Sequence, residues 1–129
     1  MEILEFYKCN ICGNLVQALV NGGGELVCCG KPMEKLESQN NEEAVMEKHI
    51  PVFIKEDNQY EIRIGEVLHP MLEEHHIMFI QAVSEDKNNI QLKILHAGDE
   101  PKMRLNEKPE KVTAYEYCNI HGLWEGKNA

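Results

Sequence analysis

The stretch VFIKEDNQYEIRIG, residues 52–65, decides the fold class. Its apolar and polar residues alternate, so that Tyr60, Ile62 and Ile64 fall on one face, and polar residues interrupt the pattern at positions 56–59. A period of two is typical of β-strands, and a short polar break between two such runs indicates a turn. The stretch therefore predicts a β-hairpin.

The same kind of pattern continues towards the C-terminus. Residues 90–98 read IQLKILHAG, and the runs IMFIQAVS at 77–84 and KVTAYEYC at 111–118 are rich in β-branched or aromatic residues. Short polar segments separate these runs, and no long amphipathic helical pattern competes with them. We therefore predict an all-β fold whose larger part is an antiparallel sandwich or barrel.

The composition is that of a globular chain with an aliphatic core. Of the 129 residues, 43% are hydrophobic, 27% are charged and 6% are aromatic. The net charge is -9, and a surface of that sign repels phosphate backbones, so we do not expect nucleic-acid binding. No apolar run approaches the roughly 20 residues of a membrane span, so we expect no membrane association.

The cysteines point to metal binding. The N-terminus, MEILEFYKCN, carries no secretory signal pattern, so we expect a cytoplasmic protein. In a reducing compartment thiols bind metals or catalyse reactions more often than they form disulfides, and five cysteines cannot pair completely.

Two domains are predicted. Residues 1–36 are cysteine-rich and too short to bury a sufficient core, so their folding should depend on a metal. The polar stretch ESQNNEEAVMEK that follows lacks a periodic pattern. We predict a linker at 37–46 and a β-sandwich domain at 47–129.

The first cysteine motif combines CNIC at residues 9–12 with the adjacent pair CC at 28–29. Four thiolates form a soft tetrahedral site for zinc or iron, and the NGGG turn at 21–24 allows the second arm to fold back. Adjacent cysteines cannot form a relaxed C-x-x-C loop, so the tetrahedron should be distorted. A structural zinc ribbon and a vicinal disulfide are the alternatives.

A second group combines Cys118 with several histidines. They are His49, His69, His75, His76 and His121. A tetrahedral zinc needs four ligands, whereas five nitrogen and sulfur ligands suit a redox metal with one open position. No H-E-x-x-H helix is present, and a Cys–His nucleophile stays open as an alternative.

Five motifs in this order resemble the desulfoferrodoxin family, the two-iron form of superoxide reductase. They are YKCNICGN, ELVCCGKPM, EKHIP, HPMLEEHHI and EYCNIHGLW, and together they span almost the whole chain. The resemblance implies a desulforedoxin-like N-terminal domain and an immunoglobulin-like, seven-stranded antiparallel β-sandwich. It also implies two iron ions per chain.

The resemblance implies the ligands of both ions. The ligands of a distorted four-cysteine iron centre would be Cys9, Cys12, Cys28 and Cys29. The catalytic iron would take four equatorial histidines and one axial cysteine: His49, His69, His75, His121 and Cys118. An axial thiolate donates electron density through iron to the ligand bound opposite, here favouring electron transfer into superoxide.

Two further residues would act near the open position. Four neutral imidazoles, one thiolate and Fe(II) leave a local charge of about +1, which suits an anionic substrate. Lys48 would add a positive charge that steers superoxide towards the iron. Alternatively, Lys48 is a solvated surface lysine without a role in the reaction. The resemblance implies that the Glu47 carboxylate occupies the sixth position of ferric iron after turnover. Alternatively, Glu47 is one of a run of solvated charged residues.

Three positions depart from the family pattern. His76 and Phe79 stand where relatives often carry an aromatic residue and a tryptophan, and His96 stands where lysine is common. Successive strand residues point to opposite faces, so only one of His75 and His76 should reach the metal, and the family spacing selects His75. We assign no role to His76, His96 or Glu116.

The expected function is one-electron reduction of superoxide to hydrogen peroxide, with electrons from an external donor. A rubredoxin-like carrier as donor and a homodimer are implied by the resemblance. The alternatives are an electron carrier whose second site is structural, a zinc-ribbon interaction module joined to a β-sandwich, and a dismutase.

Overall fold

The computed structural model describes residues 2–41, 49–65 and 70–128. The contacts divide the chain into two units, Met1–Glu37 and Ser38–Ala129. Regular structure in the described ranges is entirely β-strand, which confirms the predicted all-β class. No helix among these residues is long and apolar enough to cross a membrane.

The first unit is a small set of short strands. They are β1 (Ile3–Lys8), β2 (Leu15–Val20), β3 (Val27–Cys28), β4 (Lys31–Pro32) and β5 (Glu34–Lys35). One sheet has the order β2-β1-β5, and β3 pairs with β4. Its buried apolar side chains, among the described residues, are Phe6 and Cys9. So small a core agrees with a unit that needs a metal to fold.

The second unit contains seven strands in the ranges that the structure describes. They are β6 (Pro51–Glu56), β7 (Gln59–Ile64), β8 (Ile77–Ser84), β9 (Ile90–Ile94), β10 (Lys102–Arg104), β11 (Val112–Cys118) and β12 (Gly122–Asn128). One sheet has the order β10-β7-β6 and the other β12-β11-β8-β9, with antiparallel pairing throughout.

The predicted hairpin is present as β6 and β7. Glu56 pairs with Gln59, leaving a two-residue loop in which Asp57 and Asn58 have φ angles of 49° and 63°. Positive φ at both central residues is the requirement of a type I′ turn, which matches the twist of a β-hairpin.

The core lies between the two sheets, so the second unit is a sandwich. Ile62, Ile64 and Met103 from the smaller sheet join residues of the larger sheet in one apolar cluster. The contributions of the larger sheet include Ile77, Ile80, Ala82, Ala114 and Cys118. The predicted immunoglobulin-like antiparallel sandwich is confirmed.

The apolar residues of β9 face solvent instead of this core. Ile90, Leu92 and Ile94 are 43%, 50% and 58% exposed, although they alternate as strictly as those of β7. A period of two shows that residues share a face, but it does not show which face is buried. Leu95, directly after the strand, is the residue of this segment that enters the core.

The β11–β12 end of the larger sheet is irregular. The register of β11 against β8 shifts between Tyr117 and Cys118, and Gly122 opens β12 with a φ of 86°. Bulges of this kind redirect side chains beside functional sites. On the same strand, a Cβ at Gly126 would overlap the backbone of Pro51, so glycine allows β12 to pack against β6.

Candidate metal centres

The structure brings the four N-terminal cysteines together. The Sγ atoms of Cys9, Cys12, Cys28 and Cys29 all lie within 4.8 Å of one another. All four are free thiols, so neither a vicinal disulfide nor any other disulfide links them. Four convergent sulfur donors are the ligand set of zinc ribbons and of four-cysteine iron centres.

The first loop has the geometry of a metal-binding knuckle. The amide of Cys12 lies 3.4 Å from Cys9 Sγ, and the amide of Asn14 lies 3.4 Å from Cys12 Sγ. Gly13 donates to the Cys9 carbonyl at 2.9 Å and has a φ of 85°, which glycine adopts without strain. The amides of Cys12 and Asn14 thus point at the two sulfurs, as hydrogen bonds that orient metal ligands do.

The adjacent pair requires a strained backbone. Successive side chains on an extended chain point to opposite faces. Cys29 instead has a φ of 54°, and its Sγ lies 4.0 Å from that of Cys28. A left-handed conformation costs about 1–2 kcal/mol for an ordinary residue, so the site stores strain where the sequence predicts distortion.

The thiol pKa values differ across this cluster. The pKa of Cys9 is lowered to about 6, because the backbone amides of Cys12 and Ile11 donate to its sulfur. The pKa of Cys29 is raised to about 12, chiefly because the thiols of Cys12 and Cys28 lie beside it. Four crowded thiols therefore do not ionise together near neutral pH, unless a cation offsets the repulsion. The donor set fits an iron ion.

A second donor cluster lies in the sandwich unit. His49 Nε2, Cys118 Sγ and His121 Nδ1 lie within 4.8 Å of one another. His49 precedes β6, Cys118 ends β11, and His121 lies in the turn to β12. His49 and Cys118 are fully buried, whereas His121 is half-buried.

The distances fit ligands of one ion. His49 Nε2 lies 3.1 Å from His121 Nδ1, and two nitrogens at right angles on bonds of about 2.1 Å would be about 3 Å apart. Cys118 Sγ lies 3.9 Å from His121 Nδ1, below the roughly 4.4 Å sum of a metal–sulfur and a metal–nitrogen bond. The two donor clusters thus match the two iron centres expected from the sequence.

A buried carboxylate supports His49. Glu116 Oε2 lies 3.2 Å from His49 Nδ1, and both side chains are fully buried. When Nδ1 donates its proton to this carboxylate, the Nε2 lone pair faces the cluster. The carboxylate thus selects the tautomer that can bind a metal.

Trp124 contacts two members of the cluster. Its indole stacks on the His49 imidazole with centroids 4.9 Å apart and an interplanar angle of 14°. Its Nε1 donates to the His121 carbonyl at 3.2 Å, and Gln39 Nε2 donates to the same carbonyl at 2.8 Å. The His121 backbone is therefore held by two donors.

The structure places His75 beside this cluster, outside its three converging donors. The His75 and His121 rings have centroids 5.3 Å apart. His76 directs Nδ1 at the Leu72 carbonyl, 2.9 Å away. The predicted ligand His69 and the predicted catalytic residues Glu47 and Lys48 lie outside the described residues.

Glu116, Trp124 and Gln39 are absent from the predicted site. For Glu116 a signal exists: in β11 it shares a face with Ala114 and Cys118, so a charged residue occupies a position that faces the core. The stacking of Trp124 on His49 brings together two segments far apart in sequence, which no local pattern reveals.

His96 takes no part in the cluster. Its side chain is 81% exposed, and its Nδ1 lies 3.4 Å from Asp99 Oδ2. Phe79 packs on the Tyr117 ring, with centroids 6.3 Å apart. Both departures from the family pattern therefore leave the three converging donors in place.

Comparisons with known proteins cover both units. The family model described as Desulfoferrodoxin matches residues 41–127, and that described as Desulfoferrodoxin, N-terminal domain, matches residues 1–36. Desulfoferrodoxin from Desulfarculus baarsii is 46% identical over 127 residues, 98% of each chain. Desulfoferrodoxin from Nitratidesulfovibrio vulgaris is 45% identical over 123 residues, 95% of each chain.

A solved structure matches the whole chain as well. The superoxide reductase from Treponema pallidum superposes with a TM-score of 0.72 at 28% sequence identity. The match covers 96% of this chain and 97% of that one.

Proposed function

This chain belongs to the desulfoferrodoxin family, and on that premise we propose that it is a superoxide reductase. In the proposed reaction one superoxide anion takes up one electron and two protons and forms one hydrogen peroxide. The observation that carries the proposal is the convergence of His49, Cys118 and His121 in a chain similar to a superoxide reductase over 96% of its length.

We propose that His69 and His75 would hold the catalytic iron together with His49, His121 and the Cys118 thiolate. The family motifs support His69, and the position of the His75 ring beside His121 supports His75. Iron bound by these residues would supply one electron at a time, and the thiolate would increase its tendency to donate that electron.

Charge selects the substrate in this proposal. Neutral imidazoles and one thiolate leave a reduced iron site with a positive charge, within a chain whose net charge is -9. The Lys48 ammonium would attract superoxide to the iron site. The Glu47 carboxylate would compete with the peroxide product for the oxidised iron.

We propose that the first unit holds the other iron ion in a four-cysteine centre, with Cys9, Cys12, Cys28 and Cys29 as its ligands. We propose a rubredoxin-like protein as the electron donor, a homodimer as the assembly, and the cytoplasm as the location. The five free thiols support a reducing compartment.

Rapid mixing tests the proposal. Pre-reduced protein is mixed with superoxide under anaerobic conditions, and the absorption of each iron centre is followed. Superoxide reductase activity predicts that the His49–Cys118–His121 centre is oxidised first. In the alternative electron carrier, that centre stays reduced, and this result would refute the proposal.

A further inference from the structure

One residue of the turn between β11 and β12, Asn119, holds the segment that carries His75. Asn119 Oδ1 accepts a hydrogen bond from the His76 amide at 2.9 Å. Asn119 Nδ2 donates to the Glu74 carbonyl at 3.1 Å, and the Asn119 amide donates to the His76 carbonyl at 3.2 Å. The two side-chain bonds engage the peptide groups on both sides of His75, and the backbone bond engages the peptide group that follows His76.

The segment held in this way is a compact turn. The Leu72 amide donates to the His75 carbonyl at 2.9 Å, and the His75 amide donates to the Leu72 carbonyl at 3.1 Å. The same Leu72 carbonyl lies 2.9 Å from His76 Nδ1. Because two hydrogen bonds between Leu72 and His75 close the turn, bonds that hold one end of the turn also hold the backbone of His75.

Asn119 lies between two residues of the second metal cluster, Cys118 and His121. Its backbone position is therefore tied to these two donors, while its side chain holds the His75 backbone. We propose that Asn119 is a positioning residue that sets the place of the His75 imidazole at the catalytic iron. This inference rests on the proposed function, because it takes His75 as an iron ligand.

Asparagine suits this task for a chemical reason. The side chain must accept from one N–H group and donate to one carbonyl at the same time. An amide offers both groups in fixed geometry, whereas a carboxylate offers acceptors alone and alanine offers neither. Replacement by alanine therefore removes both side-chain bonds and leaves the backbone bond of Asn119.

The test measures loss of iron from each centre to a chelator, without superoxide. We expect Asn119→Ala to speed iron loss from the second centre about tenfold, the lower end of the effect of removing an outer-shell partner. The four-cysteine centre of the same molecule is the internal reference and should lose iron at an unchanged rate. Because superoxide is absent, failure of the proposed reaction leaves this test unaffected.

A double-mutant cycle separates positioning from general loop stabilisation. If Asn119 acts through His75, then Asn119→Ala in the His75→Ala background should change the rate less than twofold. If the two effects multiply, or if Asn119→Ala alone has no effect, the inference is wrong. If Asn119→Ala does not fold, Asn119→Asp replaces it in the same double-mutant cycle. The added negative charge is then present with and without His75, so its own effect on the rate of iron loss cancels in the comparison.

Ile120 provides the matched control. It lies in the same turn and is 56% exposed, so Ile120→Ala should leave iron loss unchanged. An equal acceleration in this variant would contradict a specific role for Asn119. In the iron-loaded protein, hydrogen exchange at the His76 amide should be faster in Asn119→Ala than in Ile120→Ala, and equal rates would also contradict the inference.

Discussion

His49 Nδ1 and Glu116 Oε2 lie 3.2 Å apart, and both side chains are fully buried. The contact joins the chain segment before β6 to the core-facing side of β11. A buried carboxylate is costly to place without partners, so a role at the metal accounts for its position. The pair links the sandwich core to the metal cluster.

Removal of this carboxylate should weaken iron binding at the second centre. We expect Glu116→Ala to lower its iron affinity about 10–100-fold, because the His49 tautomer and ring orientation are no longer set by the carboxylate. Glu116→Gln retains an oxygen acceptor, so its iron affinity should fall less. Competition with a chelator measures the iron affinity of both variants. As a control, Glu61→Gln alters a carboxylate paired with Arg63 on the other sheet and should leave the affinity unchanged.

Replacement of the proposed thiolate ligand should stop the reaction. In Cys118→Ser, a weaker donor replaces the thiolate that we propose to increase electron donation. We expect oxidation by superoxide to be abolished, while the four-cysteine centre keeps its visible absorption. Rapid mixing followed by absorption checks both expectations, and surviving reactivity at the second centre would contradict the proposed role of Cys118.

Packing beside His49 should depend on Gly126. A Cβ at this position meets the Pro51 backbone, which cannot yield as a flexible side chain can. Gly126→Ala should therefore lower the free energy of unfolding by about 1–3 kcal/mol, the usual cost of overpacking. Unfolding in denaturant measures this change in free energy. Gly24→Ala is the control, because a Cβ there meets open space, and an equal loss in this variant would exclude the packing explanation.

Iron removal should unfold the first unit selectively. Its described residues bury two apolar side chains, Phe6 and Cys9, whereas the sandwich unit has a continuous core. After chelation we expect amide protection to be lost in β1 and β2 and retained in β8 and β11. Hydrogen exchange measures this difference. Unchanged protection in β1 would show that the unit folds without metal.

Steering by Lys48 should depend on salt. We expect Lys48→Ala to reduce the second-order rate with superoxide several-fold at low ionic strength, and less at high ionic strength, because salt screens the attraction. Lys55→Ala, at the exposed end of β6, is the control for net charge. Equal effects of both variants would show that the net charge of the protein, and not the position of Lys48, attracts superoxide.

The sequence predicts much of the fold because the relevant patterns are local. The run at 52–65 contains its own turn residues, and Asp57 and Asn58 adopt the conformation that a two-residue hairpin needs. Likewise the C-x-x-C spacing alone brings Cys9 and Cys12 together. The exposure of Ile94 could not be predicted in this way, because it depends on which face of the larger sheet meets the core.

The supporting residues of the second cluster depend on long-range contacts. Glu116 reaches His49 across 67 positions, and Asn119 reaches the Glu74 carbonyl across 45. Such contacts follow from sheet register and from the bulge after Tyr117, which alternation of residue types does not encode. The ligand types were therefore predictable, whereas the contacts that orient them were not. Alternation marks Glu116 as a charged residue on the core-facing side of β11, but it does not show the contact with His49.

The yield of peroxide per superoxide distinguishes reduction from dismutation most directly. Anaerobically pre-reduced protein is mixed with a limiting pulse of superoxide, and hydrogen peroxide and oxygen are both measured. Reduction at the His49–Cys118–His121 centre predicts about one peroxide per superoxide without oxygen, as the balanced one-electron reaction requires. About one peroxide per two superoxide with release of oxygen would indicate dismutation, and would contradict the proposed function.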